Sequence, residues 1–220
     1  MSSAQEGWVL DAGNTRIKLA IFRDDKVVQV LTDEAAEEHG RRALDKKQLP
    51  EQMLIAASGE LTPFWNEWSK LCTRNQTDTI QLFHLNTVEG FDLDSSYESM
   101  GTLGLDRAAN ARAVLSEDSD SNWLIIDVGT CITTDWVESG TFTGGSIAPG
   151  IDLRLRSMYA GTANLPYPEN WRELAAEGVG LHLGTNTIES LLAGAIGGAN
   201  AELQQRVEAF HTEFGDFRVA

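Results

Sequence analysis

Short apolar, β-rich runs and amphipathic stretches alternate along this chain. Residues 8–13, 16–22 and 26–31 read as strands, broken by the turn formers Gly13-Asn14 and Arg23-Asp24-Asp25. A charged Ala/Leu-bearing stretch over 33–47 predicts a surface helix, with Thr32 or Asp33 as its cap. A buried strand is expected at 53–57, a helix from Pro63 to about Leu71, and another strand over 79–85. Polar, acidic and glycine-bearing residues 86–104 read as a surface loop, the kind of segment in which functional residues collect. Leu105, Ala108, Ala109, Arg112 and Ala113 then recur at helical spacing and predict a helix over 105–116. The second half restarts with strands at 123–128, 131–137 and 140–147. A glycine-rich connection follows over 144–150 and leads into a helix at 151–159. Residues 161–184 read as loop-rich, and 185–214 as one or two long helices. Strand-strand-strand-helix occurring twice argues for an α/β protein of two lobes with a cleft between them. The expected division is 1–104 and 105–220, without a low-complexity linker.

The repeat extends to individual residues. Trp8-Val9-Leu10-Asp11-Ala12-Gly13-Asn14-Thr15 returns as Trp123-Leu124-Ile125-Ile126-Asp127-Val128-Gly129-Thr130. In each copy an apolar run ends in Asp-x-Gly, where glycine lets a backbone approach phosphate oxygens and the aspartate can hold Mg²⁺ directly or through water. Asn14 and Thr15 add donors, and Lys18 adds a cation. One copy alone reads rather as an ordinary β-hairpin with a Gly-Asn turn, a very common feature; the second copy reverses that preference in favour of phosphate binding. Asp127, after three apolar residues, would be costly without a partner, and a cation answers that cost. Between the copies lies Gly101-Thr102-Leu103-Gly104-Leu105-Asp106-Arg107. Asp106 there can be a helix cap, or it can form with Arg107 a base and an anion clamp. Gly144-Gly145-Ser146-Ile147-Ala148-Pro149-Gly150 can be turn chemistry or backbone on which a nucleotide lies. Neither GxxxxGK[ST] nor a GxGxxG fingerprint after a strand occurs.

Net charge narrows the partners. With 17 Lys and Arg against 33 Asp and Glu, the chain carries −16 and lacks the cations a nucleic-acid surface needs. An anionic ligand requires a local positive or metal-assisted pocket. Cys72 and Cys131 form no framework, which fits reduced thiols in the cytoplasm. The start MSSAQEGW has no signal-peptide pattern, and no apolar run reaches the length of a bilayer span. His39, His84, His182 and His211 have no spacing that suggests zinc. The tryptophans read as core.

These motifs, in order over about residues 8–200, resemble the type III pantothenate kinases of the actin/Hsp70/sugar-kinase superfamily. Asp11-x-Gly13-Asn14-Thr15 is similar to the first phosphate motif. Tyr97 with Gly104-Leu105-Asp106-Arg107 is similar to the pantothenate element, and Asp127-x-Gly129-Thr130-x-x-Thr133-x-Asp135 to the second phosphate motif. The 144–150 glycines, Thr162-Ala163-x-Leu165-Pro166 and Gly184-x-Asn186-Thr187 follow in family order. Met100 stands where the family often has proline, and Cys131 where alanine is usual. The resemblance implies two ribonuclease-H-like lobes (a duplicated actin-like ATPase fold) with the active site in the cleft, and phosphorylation of pantothenate by ATP in the cytoplasm. It implies Asp106 as general base and Tyr97, Gly104, Leu105, Asp106, Arg107 and Thr187 as pantothenate contacts. Asp11, Ala12, Gly13, Asn14, Thr15, Arg16, Ile17, Lys18 and Thr130 would contact ATP. Asp127 would ligate a monovalent cation, K⁺ or NH₄⁺, and Asp11 would serve Mg²⁺. The resemblance further implies a homodimer, with no nucleic acid or membrane partner. Another small-molecule kinase of the superfamily and a non-catalytic regulator that kept the fold are the alternatives.

Overall fold

The computed structural model describes residues 6–13, 15–24, 26–57, 59–74, 81–85, 88–179 and 182–220. The chain divides into two compact units, residues 1–92 with 99–108 and residues 93–98 with 109–220.

The first unit is built on β1 (Glu6–Ala12), β2 (Ile17–Arg23), β3 (Lys26–Thr32), β4 (Gln52–Ala57) and β5 (Gln81–Leu85). Their order in the sheet is β3-β2-β1-β4-β5. The first three strands form an antiparallel meander, whereas β4 lies parallel to β1 and β5 parallel to β4. Parallel neighbours need a crossover, and helices α1 (Asp33–Lys46) and α2 (Pro63–Arg74) fill the two connections. Alternation along β1 and β2 buries Trp8, Leu10, Ala12, Ile17, Leu19 and Ile21. They share a core with Met53 and Ile55 of β4, Ala36 and Ala43 of α1, and Trp65 and Trp68 of α2. At Gly40 the two helices come so close that a Cβ would meet the rings of Phe64 and Trp65 at 2.9 Å. The 79–85 strand begins within the described residues at Gln81; positions 79 and 80 lie outside them.

In the second unit β6 (Trp123–Val128), β7 (Cys131–Glu138) and β8 (Thr141–Pro149) repeat the antiparallel meander, and β9 (Arg218–Val219) lies parallel to β6. The order β8-β7-β6-β9 reproduces β3-β2-β1-β4 of the first unit, which is the duplicated ribonuclease-H-like topology. Helix α3 (Leu105–Glu117) precedes this sheet; α4 (Ile151–Gly161), α5 (Trp171–Ala176), α6 (Thr187–Leu192) and α7 (Gly198–Phe214) follow β8. A π-helical turn, Ala193–Gly197, joins α6 to α7. Leu155, Leu191, Leu192 and Ala195 form a core between α4 and the α6 segment. Trp136 of β7 packs on Phe214, Phe210 and Phe217, with ring centroids 4.8, 5.2 and 5.3 Å away.

Three expectations change. The glycine-rich stretch is not a connection: residues 144–149 are the second half of β8, paired with β7. Glycine is required there by close approach, because a Cβ at Gly145 would overlap the Thr134 carbonyl oxygen. The loop-rich 161–184 contains α5, and β9 closes the sheet edge without a sequence signal. Neither expected cap serves α1, since Thr32 makes no capping bond and the Asp33 carboxylate turns to β2.

Loop 162–170 is held by one carboxylate. Asp152 of α4 accepts hydrogen bonds from Tyr167 Oη (2.5 Å), Arg156 Nε (2.6 Å) and Trp171 Nε1 (3.0 Å). Partial burial works against its charge, but the Tyr167, Arg156 and Trp171 donors outweigh burial and hold the carboxyl at about 2. A depressed folded-state value stabilises the fold above the unfolded value of about 3.9. That stability should drain away as pH falls from about 4 towards 2. Urea denaturation across this window checks it, and Asp152→Asn should flatten this part of the profile. Tyr167→Phe should cost roughly 1–2 kcal/mol at neutral pH, on the scale of a hydrogen bond to a charged acceptor.

Candidate functional site

The β1–β2 hairpin carries the first motif. Asp11 is half-buried and stands opposite Lys18 in the antiparallel register, with Ala12 opposite Ile17 as the last pair. The Gly13 N–H donates to the Arg16 carbonyl (3.1 Å) and closes the loop, while the Gly59 N–H reaches the Ala12 carbonyl (2.8 Å) from the end of β4. Ala12 and Ile17 are buried anchors; Thr15, Arg16 and Lys18 are exposed. Asn14 lies outside the described residues. The Asp33 carboxylate accepts the Ile17 N–H (2.9 Å) and lies 3.3 Å from Arg16 Nε. An exposed loop with a hydroxyl and two cations suits a polyphosphate anion.

The β6–β7 hairpin is built alike. The Gly129 N–H donates to the Cys131 carbonyl (2.9 Å), and Thr130 is exposed. Here backbone braces the loop: the Gly150 N–H donates to the Thr130 carbonyl (3.0 Å), and a Cβ at Gly150 would overlap the Gly129 and Thr130 oxygens. Helix α4 starts one residue later, its Arg154 N–H bonded to the Gly150 carbonyl. Asp127 is half-buried at the end of β6, and Asn110 Nδ2 of α3 donates to its Oδ2 over 3.4 Å. No Lys or Arg pairs with Asp127 among the described residues.

The Gly104–Arg107 segment opens α3. Leu105 is its first residue, and the exposed Asp106 carboxylate accepts the Arg107 N–H at 2.8 Å. This carboxylate folds back over Gly104 so closely that a Cβ there would overlap Asp106 Oδ1. Arg107 is buried, with 6% of its surface exposed. Tyr97 lies on a strip tied to the edge of β8: the Phe142 N–H donates to the Asp94 carbonyl (2.8 Å), and the Ser96 N–H donates to the Phe142 carbonyl (3.0 Å). The Tyr97 ring stands edge-on to Phe142 and against Gly144. Thr187 is the exposed first residue of α6. Before it, Asn186 accepts the Glu189 N–H, and Glu189 accepts the Thr185 N–H and hydroxyl, which hold the Glu189 carboxyl below its usual range.

The first unit therefore gathers 11–18 and 104–107, and the second gathers Tyr97, Asp127, Thr130 and Thr187. An open groove of about 300 Å³ in the second unit, lined by Trp136, Gly144, Gly145, Arg206, Phe210 and Phe214, includes none of these residues. Sequence reasoning missed Asn110 and the part played by Asp33. Asn110 had a signal, since it lies one helical turn beyond Asp106.

Each unit carries an Asp-x-Gly hairpin loop on a ribonuclease-H-like sheet, and the match to a kinase family over most of the chain makes this an ATP-dependent kinase. The sequence model of the type III pantothenate kinases matches residues 8–209, and the chain belongs to that family. The type III pantothenate kinase of Flavobacterium johnsoniae is 29% identical over 212 residues, covering 94% of this chain and 81% of the relative. That of Christiangramia forsetii is 29% identical over 217 residues, covering 96% and 83%. The crystal structure of a Baf family protein from Campylobacter jejuni shares the fold, with a TM-score of 0.53 at 16% identity over 96% of this chain and 80% of that one.

Gly104→Ala should displace the Asp106 carboxylate. If that carboxylate is the general base proposed below, turnover should fall at least ~10-fold with the melting temperature nearly unchanged, because small misplacements of a reacting group cost up to ~100-fold. Steady-state kinetics beside thermal denaturation checks this.

Proposed function

We propose that the chain transfers the γ-phosphoryl group of ATP to the terminal hydroxyl of pantothenate. The products are ADP and 4′-phosphopantothenate, in the first step of coenzyme A biosynthesis. The observation that carries the reading is the exposed Asp106 carboxylate, held over Gly104 at the start of α3 beside the buried Arg107. In this reading Asp106 accepts the hydroxyl proton as the hydroxyl oxygen bonds to the γ-phosphorus and the bond to the ADP oxygen breaks. Arg107 neutralises the substrate carboxylate or the moving phosphoryl group. Tyr97, Gly104, Leu105 and Thr187 bound the pantothenate. Residues 11–18 and Thr130 receive the ATP phosphates through N–H groups, hydroxyls and the Arg16 and Lys18 cations.

Single carboxylates at strand ends suit ions that complete their coordination with phosphate and water. Among the described residues no three His, Cys, Asp or Glu side chains converge on one point. Asp127, half-buried with one neutral amide as its hydrogen-bond partner, fits a monovalent cation. Asp11, at the mouth of the first loop, fits Mg²⁺ through water. Bound there, the ions would neutralise phosphate charge. A cytoplasmic homodimer completes the reading. No described helix is long and apolar enough to cross a membrane.

Purified protein with ATP, Mg²⁺ and K⁺ should form 4′-phosphopantothenate; no product beside an active control kinase overturns the proposal. Asp106→Asn should lower turnover at least ~100-fold while nucleotide affinity holds, the scale of a lost general base. Asp127→Asn should weaken the rise in melting temperature that KCl produces over choline chloride, read by thermal denaturation.

A further inference from the structure

Helix α1 begins on an aspartate that does not cap it. Thr32 occupies the N-cap position with no side-chain bond to the helix amides. Asp33 carries φ of +48°, in the left-handed region that non-glycine residues adopt at a cost and keep where surrounding contacts demand it. Its carboxylate leaves α1 and reaches β2: Oδ1 accepts the Ile17 N–H at 2.9 Å, and Oδ2 lies 3.3 Å from Arg16 Nε.

Those two partners form the closing side of the first Asp-x-Gly loop, whose opening residue Gly13 bonds to the Arg16 carbonyl at 3.1 Å. One carboxylate thus fixes the main chain that ends the loop and the guanidinium that projects from it. An exposed ion pair by itself contributes little, and both side chains here are about half exposed. What separates this pair from an ordinary surface pair is the accompanying main-chain bond to the buried Ile17, made by a residue in strained backbone. A long arginine side chain left free would sample many rotamers and would have to be ordered when an anion arrives.

We propose that Asp33 is a positioning residue for the nucleotide. Without touching ATP, it holds the end of the loop and keeps the Arg16 guanidinium at the loop mouth for a polyphosphate anion. The proposal rests on the kinase reading and adds a part for a residue outside the Asp-x-Gly motif.

The test measures KM for ATP, KM for pantothenate, kcat, melting temperature and calorimetric ATP affinity. The variants are Asp33→Ala, Asp33→Asn, Arg16→Ala and the Asp33→Ala/Arg16→Ala double mutant. Arg23→Ala is the control, since it breaks the exposed pair with Glu6 at the far end of the same hairpin. Asp33→Ala should raise KM and Kd for ATP about tenfold, the size of one lost charge-assisted hydrogen bond, with KM for pantothenate within about twofold. Asp33→Asn, which can still accept the Ile17 N–H, should recover part of the loss and guards against misfolding of the alanine variant. The double mutant should be little worse than Arg16→Ala, because the two residues act as one unit. ATP affinity within about twofold of wild type in both Asp33 variants, or additive losses in the double mutant, overturns the proposal. An equal rise in both KM values with a fall in melting temperature also overturns it, since that marks a purely structural role. A wild-type protein that binds ATP but does not phosphorylate pantothenate overturns the functional reading alone, because the calorimetric arm still reads Asp33.

Discussion

A carboxylate at the end of an otherwise apolar strand must be met by donors or by a cation, or the strand end cannot be buried. Asp11 and Asp127 both occupy that position, and much of the surrounding structure follows from it. Each strand end stays half-open, and each is followed by a glycine whose N–H closes a short loop instead of a long one. Apolar residues on either side, Ala12 and Ile17 in one copy and Ile132 in the other, fix the loop bases to their cores. The loops are thereby exposed yet anchored, the condition under which backbone amides can serve an anion without reorganising.

The copies meet this constraint by different means. The first loop is steadied by side-chain charge, through Asp33 on Ile17 and Arg16, together with the Gly59 amide. The second is steadied by main chain against main chain at Gly150, where the start of α4 sits on residues 129 and 130. Topology was duplicated; the bracing was not. Asp106 belongs to neither hairpin. It stands at the start of α3, on the segment that separates the repeats, so in the proposed reaction the strand repeat would supply the phosphate loops and the intervening segment the general base.

Most elements were legible because apolar runs and turn residues agree locally. Trp8, Leu10 and Ala12 face one core, and the helix expected over 105–116 is α3. Its buried face, however, runs through Arg107, Ala108, Ala111 and Val114, while Arg112 and Ala113 of the expected stripe are exposed. The misreadings share a cause, which is pairing with distant residues. Gly144 and Gly145 have poor strand propensity, yet β7 runs close enough beside them that only glycine fits at 145. Residues 94–96 read as plain loop but hydrogen-bond to Phe142 at the sheet edge. Strand β9 is two residues long, too short for any periodicity to register. Within the candidate site, motif spacing was enough to single out Asp11, Asp106 and Asp127. Asp33 was hidden because its main-chain partner lies 16 residues away across an element boundary. Asn110 carried a signal in its helical spacing from Asp106 but bonds to Asp127, 17 residues on.

The π turn between α6 and α7 has a bearing on how this chain can drift in length. A π turn holds about one more residue than the α turn it replaces, so it takes up that residue without turning the helix that follows. Leu192 is buried before the turn, Ala195 within it and Ala199 after it, and the phase of α7 carries Phe210 and Phe214 onto Trp136. Removing one residue from 193–197 would leave a regular α turn with α7 close to its present phase. Removing one from the regular turns between 198 and 206 would instead rotate the rest of α7 by about 100° and draw it back by about 1.5 Å. Both phenylalanines would swing away from their tryptophan. The π turn is therefore a place where this chain can lose a residue while the aromatic cluster on Trp136 keeps its seat, and the turns after it are not.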